Sequence, residues 1–307
     1  MLVDRGVLDL DAKVAEYWPE FAVKGKDKVT VRHILSHMSG VSGWDAPFED
    51  KDMYDLEAST ARLAAQAPWW EPGTSSGYHA SNYGHLIGEL VRRTTGKSIR
   101  EFIDEEIARP LGADFQIGAL ESDSHRIAEL IAPPPADIAA FSSLDPNLPA
   151  VKTLLTPPPN ALKANTLEWR LAQIAAVNGH TNARALARIF SAVALGGEID
   201  GVRLLSQQTI DQIFDVQYEG VDLVLFCMLR WGVGYGLPHV DSTPWIPQEH
   251  VMFWPGWGGS ILLVDVKKQM TIAYVMNKMG NGVLGSERTR QYVETIYDVV
   301  NQLHTGS

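Results

Sequence analysis

The sequence predicts an α+β fold in which a mainly helical region precedes an antiparallel sheet flanked by helices. Two apolar runs of strand length, residues 259–265 and 270–277, are separated by residues 266–269, which indicates a hairpin. Residues 286–303 are amphipathic and predict a closing helix. We therefore expect a single domain over residues 1–307, with residues 30–200 mainly helical and residues 201–307 forming the sheet and the last helix.

Start and stop signals mark the helical segments. Thr30 can cap a helix with an apolar face, and an alanine-rich helix over residues 55–67 ends before a proline. The next amphipathic run ends at Gly96, because glycine favours the left-handed conformation of a helix C-cap. Residues 98–108 form a further helix that stops near Pro110.

Residues 131–160 lack periodicity and are bracketed by two runs of three prolines. We interpret them as a long surface excursion that could wall a substrate cleft. Residues 181–195 have strong helical periodicity, with Thr181 or Asn182 as the N-cap.

The composition excludes several functional classes. The chain is 45% hydrophobic and 21% charged, which is ordinary for a globular protein. Its formal net charge of -11 argues against general nucleic-acid binding, because phosphate neutralisation needs clustered Lys and Arg. No run of about 18 apolar residues predicts a membrane span. No signal peptide follows Met1, so we expect a cytoplasmic protein unless a targeting segment precedes this residue.

Neither the cysteine nor the histidines predict a metal or cofactor. Cys227 is the single cysteine and lies in the apolar run VLFCML, which indicates a buried, inert thiol. His33 and His37 have a spacing that could hold zinc on a helix, but no third ligand is evident. We expect both to be hydrogen-bonded structural histidines, and we expect no metal and no cofactor.

Residues 69–96 (WWEPGTSSGYHASNYGHLIGELVRRTTG) offer two catalytic interpretations. Tyr78 lies between a Pro-Gly turn and the amphipathic helix, where rigid backbone can direct its side chain into a cleft as a base. Ser75 lies in Gly-Thr-Ser-Ser-Gly, which fits the nucleophile motif G-x-S-x-G. In the α/β-hydrolase elbow that motif follows a buried strand, but here Trp69-Trp70-Glu71-Pro72 precedes it. We therefore expect Ser75 to be a loop residue beside Tyr78.

Five segments in order along the chain resemble the serine β-lactamase-like superfamily, which includes class C β-lactamases, D-Ala-D-Ala carboxypeptidases and family VIII carboxylesterases. They are residues 31–40, 71–78, 181–188, 253–260 and 273–277. The resemblance spans nearly the whole chain and implies the β-lactamase/transpeptidase-like fold.

The resemblance also implies three catalytic motifs: S-x-x-K with the nucleophile, Y-x-N with a proton-transfer tyrosine, and K-T-G, which is H-x-G or W-x-G in esterases. Tyr78-His79-Ala80 is similar to the second, with Ala80 in place of Asn. Trp254-Pro255-Gly256 is similar to the third, with the apolar Trp254 in place of a cation. Both departures favour an esterase over a lactamase.

The first motif is absent, since no serine or threonine at a predicted helix start has a lysine three residues later. In the superfamily this motif lies on a helix just before the segment that residues 1–10 resemble. We therefore expect the N-terminal part of the fold to be missing here, together with the nucleophile and its lysine.

By resemblance, Tyr78 would transfer the proton and the backbone N–H of Trp257 would be one oxyanion donor. Trp254 and Gly256 would line the site on a sheet strand. Trp69, Trp70, Trp254 and Trp257 could form an apolar pocket for the acyl or alcohol group, although aromatic clusters often form plain core.

The expected function is that of a serine carboxylesterase that cleaves small apolar esters through an acyl-enzyme. The alternatives are a β-lactamase or D-amino peptidase, and a non-hydrolytic binding protein on a degenerate scaffold. In each case the expected partner is a small molecule, an ester or amide for the enzymes. The sequence leaves the oligomeric state open.

Overall fold

The computed structural model describes residues 1–134 and 143–305. Short helices make up most of the regular secondary structure before the sheet. In chain order the α-helices are α1 (Val14–Tyr17), α2 (Val31–Leu35), α3 (Leu56–Ala65), α4 (Tyr83–Thr95), α5 (Ile99–Ile103), α6 (Arg109–Leu111), α7 (Pro149–Leu155), α8 (Leu167–Leu171), α9 (Ala183–Ala194), α10 (Gln207–Ile213) and α11 (Glu287–Thr305). Single 3-10 turns lie at Pro19–Ala22, Asp50–Tyr54, Glu121–Arg126 and Ala161–Asn165, and a π-helical turn at Asp104–Ala108.

Side-chain caps begin six of these helices, namely α2, α3, α5, α8, α9 and α10. Thr30, Asp55 and Ser98 each accept a hydrogen bond from the amide three residues later, which satisfies a donor that the first helical turn leaves unpaired. Asn182, and not Thr181, plays this part for α9. At the other end of α4, Gly96 has φ 74°, the left-handed conformation predicted for it.

Six strands form one antiparallel sheet in the second part of the chain. They are β5 (Tyr218–Val221), β6 (Met228–Trp231), β7 (Gly236–Leu237), β8 (Val251–Pro255), β9 (Ile261–Asp265) and β10 (Met270–Tyr274), and each pairs with the next. In the register of β8 and β9, Trp254 lies opposite Leu262. Two small pairs lie elsewhere: β1 (Phe115–Ile117) with β2 (Gly179–Thr181), and β3 (Glu198–Ile199) with β4 (Val202–Arg203).

Helices cover both faces of the six-stranded sheet. On one face, Phe253 of β8 packs in a cluster with Val293 of α11. On the other face, Met252 of β8 packs in a cluster with Val193 of α9. Because successive strand residues point to opposite faces, Trp254 shares the face of Met252. A separate core joins α1, α3 and α4 around the buried side chains of Trp18, Leu63 and Leu86.

The structure confirms most of the predicted elements. The helix at Thr30, the helix ended by Gly96, the hairpin of β9 and β10 and the closing helix are all present. The helix after Thr30 ends at Leu35, so it is shorter than its apolar pattern suggested.

Two regions differ from the sequence prediction. β6 was not predicted. Residues 131–160 contain the helix α7, and Ile131 forms a β-bridge with Lys278, so the described part is more regular than its prolines suggested. Residues 135–142 of this excursion lie outside the described residues. Within the described ranges, none of the helices is both long and apolar enough to cross a membrane.

The substitution Leu86→Ala tests the packing of the helical core. The Leu86 side chain is fully buried in the cluster around Trp18 and Leu63, so Leu86→Ala leaves a cavity and should lower the free energy of unfolding by about 2–5 kcal/mol. The matched control is Leu162→Ala, whose leucine is 57% exposed and should cost less than about 0.5 kcal/mol. Urea unfolding measures both, and equal losses would contradict this placement of α4.

Candidate active site

Tyr78 lies on the loop that enters α4, and its ring faces the sheet. The ring centroid is 6.3 Å from those of Trp231 on β6 and Trp254 on β8. The Tyr78 amide donates a hydrogen bond, whereas the Tyr78 hydroxyl has no hydrogen-bond partner among the described residues. The loop therefore presents a phenol to a wall of tryptophan rings.

His37 occupies the centre of this wall. It follows α2 with φ 61°, a left-handed conformation that non-glycine residues rarely adopt. Its fully buried ring lies 4.4 Å from Trp231, 5.5 Å from Trp254 and 4.6 Å from Tyr83, measured between ring centroids. Its Nε2 atom has no partner among the described residues. A residue held in this conformation and this packing fixes the rings around it.

Two groups of His37 hold the backbone on both sides of Tyr78. The amide of Gly77 donates to the His37 carbonyl over 3.0 Å, and the amide of His79 donates to Nδ1 of the His37 ring over 3.2 Å. Gly77 is required here because a Cβ atom would lie 2.6 Å from the ring of Trp70. The position of Tyr78 is thus set by His37 in the turn after α2 and by the aromatic wall.

Asp222 binds the same segment from the sheet side. It lies in the loop between β5 and β6 and is fully buried. Its Oδ2 accepts from the Ser76 hydroxyl over 2.8 Å, and its Oδ1 accepts from the Tyr78 amide over 3.1 Å. Its Oδ1 also accepts from the amides of Val224 and Leu225.

Burial keeps the side chains of Tyr78, His79 and His37 uncharged at neutral pH. Burial, with the Asp222 charge as a smaller cause, raises the pKa of Tyr78 to about 12. Burial lowers the pKa of His79 to about 4, and that of His37 well below its ordinary value. Among the described residues no cation acts on Tyr78, so its hydroxyl stays protonated and is a weak base as it stands.

The loop after β8 offers an unpaired amide. The amides of Gly256, Gly258 and Gly259 donate to backbone carbonyls, whereas that of Trp257 has no acceptor among the described residues. A backbone N–H of this kind can stabilise a developing oxyanion.

Comparisons with known proteins agree with this geometry. A family model described as Beta-lactamase matches residues 1–296. The chain belongs to the beta-lactamase family. The superfamily and the β-lactamase/transpeptidase-like fold predicted from the sequence are therefore confirmed.

Among curated proteins, the chain is 37% identical over 290 residues to the esterase/beta-lactamase LipL of Mycobacterium tuberculosis, covering 91% of this chain and 65% of that protein. Its fold is similar to that of a family VIII carboxylesterase, with a TM-score of 0.88 and 36% identity over 97% of this chain and 78% of that one. A penicillin-binding protein homolog from Caulobacter crescentus gives a TM-score of 0.86, with 36% identity over 97% of this chain and 78% of that one.

The four tryptophans predicted to line a pocket do not form one cluster of rings among the described residues. Trp254 faces Tyr78, and Trp70 lies on the other side of His79, donating from Nε1 to the Ser75 carbonyl. The Trp69 indole donates to Asp45. Trp257 is 38% exposed. The proposed acyl or alcohol pocket would therefore involve Trp254 of β8 and Gly256, which directly follows that strand. Trp69 does not belong to this cluster of rings.

The alternative nucleophiles lack the required context. Ser75 lies in a loop with no strand before it, and α4 begins only at Tyr83, so the elbow geometry is absent. The Ser39 hydroxyl lies 2.6 Å from Nε2 of His79, a distance suited to a nucleophile and its base, but both side chains are buried. We interpret this pair as structural.

The β-lactamase family's S-x-x-K motif has no counterpart in this structure. Thr94 precedes Lys97 by three residues, but both lie at the end of α4. The Thr94 hydroxyl donates to the Leu90 carbonyl, and Lys97 pairs with Glu105. This spacing therefore caps a helix end and does not form a nucleophile with its lysine.

The zinc spacing of His33 and His37 has a simple structural explanation. α2 ends at Leu35, so the two rings do not share a helix face. His33 accepts from the Thr30 amide, and His37 accepts from the His79 amide. Among the residues that the structure describes, no group of three or more His, Cys, Asp or Glu could hold a metal ion.

Sequence reasoning missed His37 as the centre of the site, and it missed Asp222 and Trp231 entirely. The apolar run that contains Cys227 was a signal for β6, and hence for Trp231. No local pattern marks Asp222, because its partners Ser76 and Tyr78 lie more than a hundred residues away.

Acid should destabilise the fold through His79. The pKa of His79 is about 4 in the folded chain and 6.5 ordinarily, so between these values the unfolded chain binds a proton that the folded chain does not. The free energy of unfolding therefore falls as the pH drops through this window. We expect a loss on the order of 2 kcal/mol from this residue between pH 7 and pH 5, measured by urea unfolding.

Two variants control for other groups that titrate in this range. His79→Asn retains a donor for the Gly77 carbonyl, which Nδ1 of His79 contacts at 2.6 Å, and should lose less stability over the same pH interval. The exposed His125→Asn should behave like the unchanged chain. Equal pH dependence of the unchanged chain and His79→Asn would show that His79 is not buried in its neutral form.

Proposed function

We propose that this chain is the larger part of a serine carboxylesterase that cleaves small apolar esters through an acyl-enzyme. In this proposal Tyr78 transfers the proton, and the amide of Trp257 donates one hydrogen bond to the oxyanion. The nucleophilic serine and its lysine belong to an S-x-x-K motif upstream of Met1.

The observation that carries the proposal is the uncharged aromatic wall around the Tyr78 hydroxyl. The rings of His37, Trp231 and Trp254 lie near the Tyr78 ring, and among the described residues no Lys or Arg acts on its hydroxyl. A neutral ester gains from burial against such a wall, whereas a substrate carboxylate would lose its hydration without a cation to pair with. The wall therefore favours esters over β-lactams and peptides.

The electrostatics of Tyr78 support an upstream lysine. Acylation requires a base that takes the serine proton as the oxygen attacks the ester carbonyl, and the same group then returns a proton to the leaving alcohol. A tyrosine with a pKa of about 12 does this poorly at neutral pH. A neighbouring ammonium would lower that pKa, because an opposite charge stabilises the tyrosinate. The 307-residue chain alone should therefore have little hydrolytic activity.

The relatives support the same reaction class. The curated relative is named an esterase/beta-lactamase, and one solved structure is a family VIII carboxylesterase. By its resemblance to W-x-G, Trp254 would occupy the position of the third motif, where lactamases carry a cation. A lactamase or D-amino peptidase is thus the second candidate, and a binding protein without turnover is the third.

Hydrolysis by a chain extended upstream in the gene tests the proposal. A short acyl nitrophenyl ester should be cleaved faster than a chromogenic cephalosporin. Tyr78→Phe should lower kcat/KM for the ester by about 10²–10⁴-fold, the usual contribution of a positioned proton-transfer group. Tyr292→Phe, at a tyrosine that is 50% exposed, is the matched control and should leave kcat/KM unchanged.

Three results would count against the proposal. Equal kcat/KM for the unchanged chain and Tyr78→Phe would remove Tyr78 from the reaction. Faster turnover of the cephalosporin would favour the lactamase. Ligand binding without turnover in the extended chain would favour the binding protein.

A further inference from the structure

Asp222 is a buried carboxylate without a cation. Its side chain is fully buried, and the described part of the chain contains no ion pair to it. A bare buried carboxylate is costly, so its charge must be stabilised by hydrogen bonds. Four donors do this: the Ser76 hydroxyl and the amides of Tyr78, Val224 and Leu225.

These four donors come from the two halves of the fold. Ser76 and Tyr78 precede α4, whereas Val224 and Leu225 belong to the loop between β5 and β6. The amide of Leu223 adds a backbone bond of 2.9 Å to the Ser76 carbonyl. Asp222 thus joins the loop that carries Tyr78 to the sheet that carries the tryptophan wall.

The hydrogen bonds also account for the whole backbone around Tyr78. The amides before and after it, those of Gly77 and His79, bind His37, and its own amide binds Asp222. Three consecutive amides are therefore fixed by two buried residues. Loss of either residue would free the main chain from which the Tyr78 ring projects.

We propose that Asp222 is a positioning residue for Tyr78, which locks the Tyr78 backbone to the β5–β6 loop and places a carboxylate charge near the phenol. Its role in hydrolysis rests on the proposed function. The contact between Asp222 and the Tyr78 backbone, and its effect on the pKa of Tyr78, do not depend on the proposed function.

The second part of the role follows from charge. A carboxylate beside a phenol disfavours the tyrosinate, and Asp222 is the charge that raises the pKa of Tyr78 in addition to burial. The other titratable groups against Tyr78 are His37, His79 and Tyr83, and burial keeps all three neutral near pH 7. Removal of the Asp222 charge should therefore act on Tyr78 without an opposing change nearby.

Two substitutions separate the hydrogen bonds from the charge. In Asp222→Asn the amide oxygen can keep the three amide bonds that Oδ1 accepts, and the amide nitrogen can donate to the Ser76 oxygen. This variant removes the charge and retains the geometry. Asp222→Ala removes both. Asp265→Asn is the matched control. Asp265 is the last residue of β9, and like Asp222 it is buried and accepts a hydrogen bond from a hydroxyl, that of Tyr297.

The experiment measures amide exchange and tyrosine titration in the 307-residue chain by NMR, with Tyr78→Phe to assign the Tyr78 signal. Asp222→Asn should keep the amides of Tyr78, Val224 and Leu225 protected from exchange. Its Tyr78 pKa should fall below about 12 but stay above the ordinary value of 10, because burial is the larger cause of the shift and remains. Asp222→Ala should lose the amide protection as well, and Asp265→Asn should change neither property.

Hydrolysis by the extended chain gives the functional readout. Asp222→Ala should lower kcat/KM for the ester by roughly 10²-fold, because a small displacement of a reacting group has this cost. Asp222→Asn should retain most of the kcat/KM that Asp222→Ala loses. If the exchange and titration results hold but the unchanged extended chain does not cleave esters, the proposed function fails and the positioning contact stands.

Two outcomes would overturn the inference. One is an unchanged Tyr78 pKa in Asp222→Asn. The other is unchanged protection of the Tyr78 amide in Asp222→Ala. If Asp222→Ala does not fold, Asp222→Asn still decides the matter through the Tyr78 pKa.

Discussion

The packing of aromatic rings around the buried His37 ring is the interaction on which the site depends. The turn after α2 supplies His37, the loop before α4 supplies Tyr78, and the sheet supplies Trp231 and Trp254. Rings in offset or edge contact gain more than area burial alone. The helical region and the sheet therefore meet through a rigid, apolar contact, and Tyr78 lies at its edge.

The same burial determines the chemistry available at the site. Desolvation holds His37 and His79 neutral and keeps Tyr78 protonated, so this wall cannot itself generate a strong base. Among the described residues near Tyr78, the buried charge is that of Asp222, and it also raises the pKa of Tyr78. Proton transfer through Tyr78 thus requires a cation from elsewhere, which links the electrostatics of the wall to a lysine beside the nucleophile.

Local signals in the sequence predicted most of the fold, and fewer of the site residues. Caps at Thr30 and Gly96 and the hairpin after β9 depend on neighbouring residues, so they could be read directly. Tyr78 was found because a turn and a helix flank it. His37 and Asp222 act through contacts between distant segments, which no local pattern encodes. The four tryptophans were grouped by residue type, whereas in the structure the Trp69 indole donates to Asp45 and the Trp254 ring lies near that of Tyr78.

The most direct test of the account is intact-protein mass spectrometry after exposure to a fluorophosphonate serine probe. It compares the 307-residue chain with a chain extended upstream in the gene. The account predicts that only the extended chain is labelled, at a serine before Met1. Labelling of the 307-residue chain at Ser75 or Ser39 would contradict it, and so would the absence of labelling in both chains.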